Sequence, residues 1–266
     1  MSLVIFFFLA HLGIGIAGTL LLVGRAAGVK FFRFNAGLAT LCLLIALAFR
    51  PALPLRDDSE IVGLVALLVA TSTLLLYWIT IGRALARIRP LLLWVTLISG
   101  SVTIVAQGFN LSAIGIGPEP ILIIASFLSS AALLGGTCTA MILGHWYLVL
   151  PSMEVSLLQS MVKFHIGSTI VRMIVIIAVI WVALETWESP SGASYSRYVL
   201  SIDGVFLWQR LLFGLLGPLV LAFLTWETAK IRSTQSATGI LYIDFFAVVV
   251  GEVLAKYLLL STKVPV

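Results

Sequence analysis

Apolar runs of about twenty residues recur along the whole of this chain, joined by short connections. A helix needs about 20 predominantly apolar residues to cross the hydrocarbon, and inside lipid it must satisfy its own backbone polar groups. Eight such runs can be marked, at about 3–24, 31–49, 61–82, 90–108, 120–146, 164–184, 205–226 and 240–261. They leave no room for a separate soluble domain. The expectation is therefore an all-α fold, a polytopic membrane helical bundle of about eight transmembrane helices that forms one integral membrane domain over residues 1–266. The second run is the least regular, because Arg33 and Asn35 lie near its start and Arg50-Pro51 ends it; a helix rarely continues into the residue before a proline. Arg33 must then snorkel to the headgroups. No basic residues precede the first run, so it reads as a retained helix rather than a removable signal.

Composition agrees with that reading. Hydrophobic residues make up 61% and charged residues 10% of the chain, with mean hydropathy +1.17, whereas soluble domains carry about 45–50% and about 25%. This excludes a soluble enzyme. The formal charge of +5 would suit nucleic acid in a soluble protein, but in a membrane protein basic residues report topology. Arg25, Lys30, Arg33, Arg83, Arg87, Arg89, Lys163, Lys230 and Arg232 fall after the first, third, fifth and seventh runs, whereas only Arg50, Arg56, Arg197 and Lys263 fall on the opposite side. The expected arrangement puts both termini outside (periplasmic), in a multi-pass protein of the inner (plasma) membrane. Trp78, Trp94, Trp146 and Trp226 then mark the cytoplasmic interface and Trp181, Trp187 and Trp208 the outer one, as an aromatic belt requires. The partners this implies are membrane lipid and other subunits of a membrane complex, with no nucleic acid. Cys42 and Cys138 lie within apolar runs and read as small core residues.

Three basic residues remain inside the runs: Arg172, Arg210 and Lys256. An ionisable group at that depth costs a few kcal/mol and normally faces the bundle interior with a partner. On the sixth run, His165, Ser168, Thr169 and Arg172 fall at i, i+3, i+4 and i+7, one helix face. That stripe suits either a polar pocket for a quinone head group, with His165 exchanging a proton, or an Arg172–Asp244 pair locking the sixth helix to the eighth. His145 and His165, at the ends of consecutive runs, are candidate axial ligands to the iron of a b-type haem. His11 shares a face with Gly15 and Gly18, which either lets another helix approach closely or lets haem lie against bare backbone. The hydroxyl-rich segment from Arg232 to Gly239 either caps the eighth helix through Thr238 or Ser236 or lines the cytoplasmic pocket with Gln235 and Tyr242 reaching a ligand. Glu252 and Lys256, at i and i+4, are placed to pair.

Eight spans with outside termini and short loops resemble, in topology alone, the integral quinol-interacting subunits of modular respiratory complexes such as the polysulfide-reductase type. That resemblance implies exchange with the quinone pool and carries over no residue. The function expected from the residues is an integral membrane subunit of an electron-transfer, respiratory-type complex, interacting with quinone and with haem b as a second candidate cofactor. It would be at most a quinone-site subunit of an oxidoreductase. The alternatives are a small-solute or ion transporter using Arg172, Asp244 and Glu252, and a structural anchor of a membrane complex.

Overall fold

The computed structural model describes residues 1–51, 58–113, 115, 119–150, 153–187 and 194–266; Arg56 lies outside the described residues. Its helices are α1 (Ser2–Thr19), α2 (Gly28–Phe49), α3 (Asp58–Thr80), α4 (Arg89–Ala113), α5 (Pro120–Val149), α6 (Val155–Thr186), the short α7 (Tyr195–Val199), α8 (Val205–Leu211), α9 (Gly217–Lys230) and α10 (Thr234–Thr262). A five-residue π-helical turn, Leu212–Leu216, joins α8 to α9. Seven stretches are long and apolar enough to cross a membrane: Ser2–Thr19, Arg25–Phe49, Asp58–Thr80, Arg89–Ala113, Pro120–Val149, Val155–Thr186 and Val205–Lys230. The protein is thus a helical membrane bundle. The remaining long helix, α10, has 29 residues and buries Asp244, Glu252 and Lys256.

The bundle is apolar outside and polar at its centre, as lipid solvation requires. Ile98, Ile174, Ile177 and Phe246 point outward. Helix α5 is the hub and packs against α1, α4, α6 and α10. Close approach to α1 depends on the absence of side chains: a Cβ on Gly15 would lie 2.0 Å from the Ala131 carbonyl oxygen, and one on Gly135 would lie 2.1 Å from the Gly15 backbone. The His11–Gly15 face therefore serves helix packing. Hydroxyls inside the helices mostly bond back to their own backbone, as Thr40 does to Ala36 at 2.7 Å and Thr71 to Leu67 at 2.7 Å, which hides them from lipid. Cys42 and Cys138 are free, buried thiols.

Helix boundaries differ from expectation in a way that matters for the site. The sixth helix begins at Val155 rather than near 164, and α10 begins at Thr234 rather than near 240. His165 and Asp244 each lie ten residues inside their helices, about 15 Å from the first residue, so the two stand at matched positions. Thr238 and Ser236 do not cap α10. Both are already helical, the Thr238 hydroxyl donating to the Thr234 carbonyl at 2.7 Å and Ser236 accepting from Ser233 at 3.0 Å.

Candidate functional site

Helices α5, α6 and α10 turn polar stripes toward one seam. On α6 the stripe is His165, Thr169 and Arg172; on α10 it is Asp244, Glu252 and Lys256; on α5 it is Ser126, Ser129, Ser130 and Thr137. All of these side chains are buried. The seam holds two centres, separated along the helices by seven or eight residues, or about 10–12 Å.

The first centre is a pair. Nε2 of His165 meets Oδ2 of Asp244 at 2.7 Å, and Nδ1 of His165 meets the Thr137 hydroxyl at 2.9 Å. Asp244 therefore pairs with His165 and not with Arg172, which corrects the expected Arg172–Asp244 lock. The cause is the shared depth of His165 and Asp244 in their helices. Oδ1 of Asp244 has no partner among the described residues, and an unpartnered buried acceptor is costly.

The second centre gathers three cations around one carboxylate. Arg172 Nε donates to Glu252 Oε1 at 3.1 Å, Arg210 Nη2 donates to the same oxygen at 2.6 Å, and Lys256 Nζ donates to Oε2 at 2.8 Å. These four side chains are 0% to 2% exposed. The Arg172 fork is filled further by the Ser126 carbonyl at 2.7 Å, the Ser126 hydroxyl at 2.6 Å and the Ser129 hydroxyl at 3.3 Å. Its Nη2 also reaches the main-chain oxygen of Val266 at 3.4 Å. The expected Glu252–Lys256 pair is present, but as part of a larger network.

Arg210 is held by a break in its own helix. Proline has no N–H, so Pro218 cannot donate to the carbonyl four residues earlier, that of Gly214. The backbone opens there into the π turn, a feature often found at functional sites, and Arg210 Nη1 takes the freed carbonyl at 2.8 Å. Gly214 faces Gly251 of α10 so closely that a Cβ on it would lie 2.6 Å from the Gly251 Cα. Bare backbone on both sides brings the guanidinium to Glu252.

From Glu252 the network continues across α5 to α1 and α4. The Ser130 hydroxyl donates to Glu252 Oε2 at 2.5 Å and accepts from Lys256 Nζ. Nδ1 of His11 lies 3.4 Å from that hydroxyl, and His11 Nε2 meets the Gln107 side chain at 3.1 Å. His11 is 0% exposed and packs edge-on against Phe127. At the far end of α10, Lys263 takes a left-handed φ of 62° and turns Val264 and Val266 back into the bundle. Trp187, packed edge-on against Tyr195 and tilted against Tyr198, closes this end by donating to the Thr262 carbonyl at 2.7 Å. Burial pushes the Tyr195 phenol well above its ordinary titration range.

The remaining predicted site residues stand elsewhere. His145 is exposed, and its Nδ1 meets the hydroxyl of Tyr242, a residue 44% exposed, at 2.7 Å. Gln235 is exposed two turns earlier on α10, and Lys163 lies over the Trp226 ring. His145 and Tyr242 are thus together on the bundle's outer face, whereas His165 is sealed inside. A single pocket shared by His145, His165, Gln235 and Tyr242 is not formed. Sequence reasoning missed Gln107, Ser129, Ser130, Thr137 and the role of Arg210. A usable signal was the spacing of Ser126, Ser130 and Thr137, which keeps three hydroxyls on one face of a span.

Fold and site together define a multi-pass helical membrane protein with a buried ionic network at its centre. Compared with known protein families and with curated proteins, the chain finds no match.

Proposed function

We propose that the protein is a proton-handling membrane subunit of an electron-transfer complex of the respiratory type, exchanging protons with the quinone pool and relying on partner subunits for the redox chemistry. In this reading α10 is an eighth crossing, both termini are outside, and the membrane is the plasma (inner) membrane. The distribution of basic residues supports that topology. The observation that carries the reading is the seam of proton-exchanging groups. His165 and Asp244 with the Thr137 hydroxyl, and Glu252, Lys256 and His11 with the Ser130 hydroxyl, form two buried hydrogen-bonded groups along one seam. The two arginines stay charged throughout, so they fix the potential while the other groups change proton occupancy.

The His145–Tyr242 pair suits quinone. In the tautomer that accepts the Tyr242 hydroxyl at Nδ1, the imidazole proton sits on Nε2, where it can donate to a quinone carbonyl arriving from the lipid. A b-type haem held by His145 and His165 does not fit these residues: an iron at His165 would have to displace Asp244 from Nε2 or Thr137 from Nδ1.

Two measurements test the reading. In proteoliposomes under a potassium diffusion potential, with a pH dye inside, the protein should carry protons faster than empty vesicles. Asp244→Asn should slow this at least tenfold, because an amide cannot pass a proton on. A wild-type rate equal to that of empty vesicles counts against proton transfer. Separately, ubiquinone or menaquinone should quench the emission of Trp146, the neighbour of His145, and His145→Ala should raise the quinone concentration needed by about tenfold, the loss of one good hydrogen bond in lipid. Unchanged quenching would remove the quinone assignment.

One observation favours a second reading. Three cations against one carboxylate leave an excess of positive charge at the second centre, which suits passage of a small anion. Uptake of radiolabelled chloride into the same vesicles, abolished by Arg172→Gln, would favour that transporter.

A further inference from the structure

Outside the ionic seam, a groove of about 840 Å³ runs over the exposed face of α2. Lys30, Arg33, Phe34, Gly37, Leu41 and Leu44 line its floor. Their spacing of three and four residues puts them on one helix face. Trp78 of α3 and Trp146 of α5 form its walls. Gly37 creates the room: a Cβ there would lie 2.8 Å from Trp78 Nε1, so the indole lies over bare backbone. Among the described residues, that indole N–H donates to no protein acceptor.

Length and charge identify the occupant. From Lys30 to Leu44 the floor runs about 21 Å. That spans one leaflet of a hydrocarbon core about 30 Å thick, together with part of its headgroup zone. Both cations stand at one end, and the remaining floor and walls are apolar apart from Thr40. We infer that the groove is a binding site for one anionic phospholipid, its phosphate between Lys30 and Arg33 and one acyl chain along Gly37, Leu41 and Leu44. A neutral quinone would gain only hydrogen bonds from the paired cations, whereas an anionic headgroup is also drawn to a juxtamembrane lysine or arginine by its charge. The inference stands independently of the redox reading.

Native mass spectrometry of the detergent-purified protein, titrated with equimolar phosphatidylglycerol and phosphatidylcholine, tests it. The expected result is one retained phosphatidylglycerol, favoured roughly tenfold over phosphatidylcholine. Lys30→Gln with Arg33→Gln should equalise the two lipids, and the charge-preserving Lys30→Arg with Arg33→Lys should keep the preference. Leu41→Trp, which fills the groove and leaves both cations in place, should abolish retention of either lipid; thermal unfolding of each lipid-free variant checks that it is folded. Equal retention by the wild type, a preference that survives loss of both cations, or retention unchanged by Leu41→Trp would each overturn the site, as would displacement of phosphatidylglycerol by equimolar ubiquinone.

Discussion

Glu252→Gln should be among the most damaging single substitutions in the bundle, and Lys256→Met, one turn away, should do no harm. Glu252 is the one carboxylate to which Arg172, Arg210 and Lys256 all donate. Removing its charge strands three buried cations, and breaking a buried ion pair by deleting one partner costs about 3–5 kcal/mol. Removing Lys256 instead brings the centre closer to neutrality while Glu252 keeps both guanidinium donors and the Ser130 hydroxyl. Denaturant unfolding in detergent should therefore show a large loss for Glu252→Gln and no loss, or a gain, for Lys256→Met. Equal destabilisation by both variants would mean that packing, and not charge balance, sets the stability of this centre.

Gly15→Leu should separate α1 from α5. Even an added methyl at Gly15 would sit 2.0 Å from the Ala131 carbonyl oxygen, and that obstacle is backbone, which cannot rotate away. Overpacking costs about 1–3 kcal/mol where side chains can shift; here two helix axes must move, so the loss should reach or exceed the top of that range. The shift also pulls His11 from Ser130, so any proton traffic through that contact should fall with stability. Gly167→Ala is the matched control: it lies on the exposed face of α6 with nothing within 4 Å, and better helix propensity should stabilise by up to about 1 kcal/mol. Similar midpoints for the two variants would contradict the packing assigned to Gly15.

The apolar spans were legible because the bilayer imposes a length on each of them, and the seven long apolar stretches overlap seven of the runs read by hydropathy. Helix starts were less legible. Ser156, Gln159, Ser160 and Lys163 lower the local hydropathy, yet they sit on the first three turns of α6; a helix can continue past the hydrocarbon, where polar residues no longer cost anything. Misjudging that start by nine residues hid the matched positions of His165 and Asp244, each ten residues into its helix, and offered Asp244 to Arg172. Burial of Arg172, Arg210 and Lys256 followed from their depth in apolar runs. The Glu252–Lys256 pair followed from its i, i+4 spacing, but the sharing of Glu252 by Arg172 and Arg210 did not, because it is set by the rotational register of α6, α8 and α10 and by the carbonyl that Pro218 frees at Gly214.

The charges on α10 also bear on how the protein is made. On insertion scales an aspartate or lysine at a helix centre costs about 2.5–3.5 kcal/mol, and this helix carries Asp244, Glu252 and Lys256 along its buried face. Released alone into lipid during synthesis, α10 would be drawn back toward water. As the eighth crossing proposed above, it should integrate after α5, α6 and α8, which precede it in the chain and supply Thr137, His165, Arg172 and Arg210 as ready-made solvation. In that topology the ionic network would also order assembly, being satisfied only when the earlier helices are already in place.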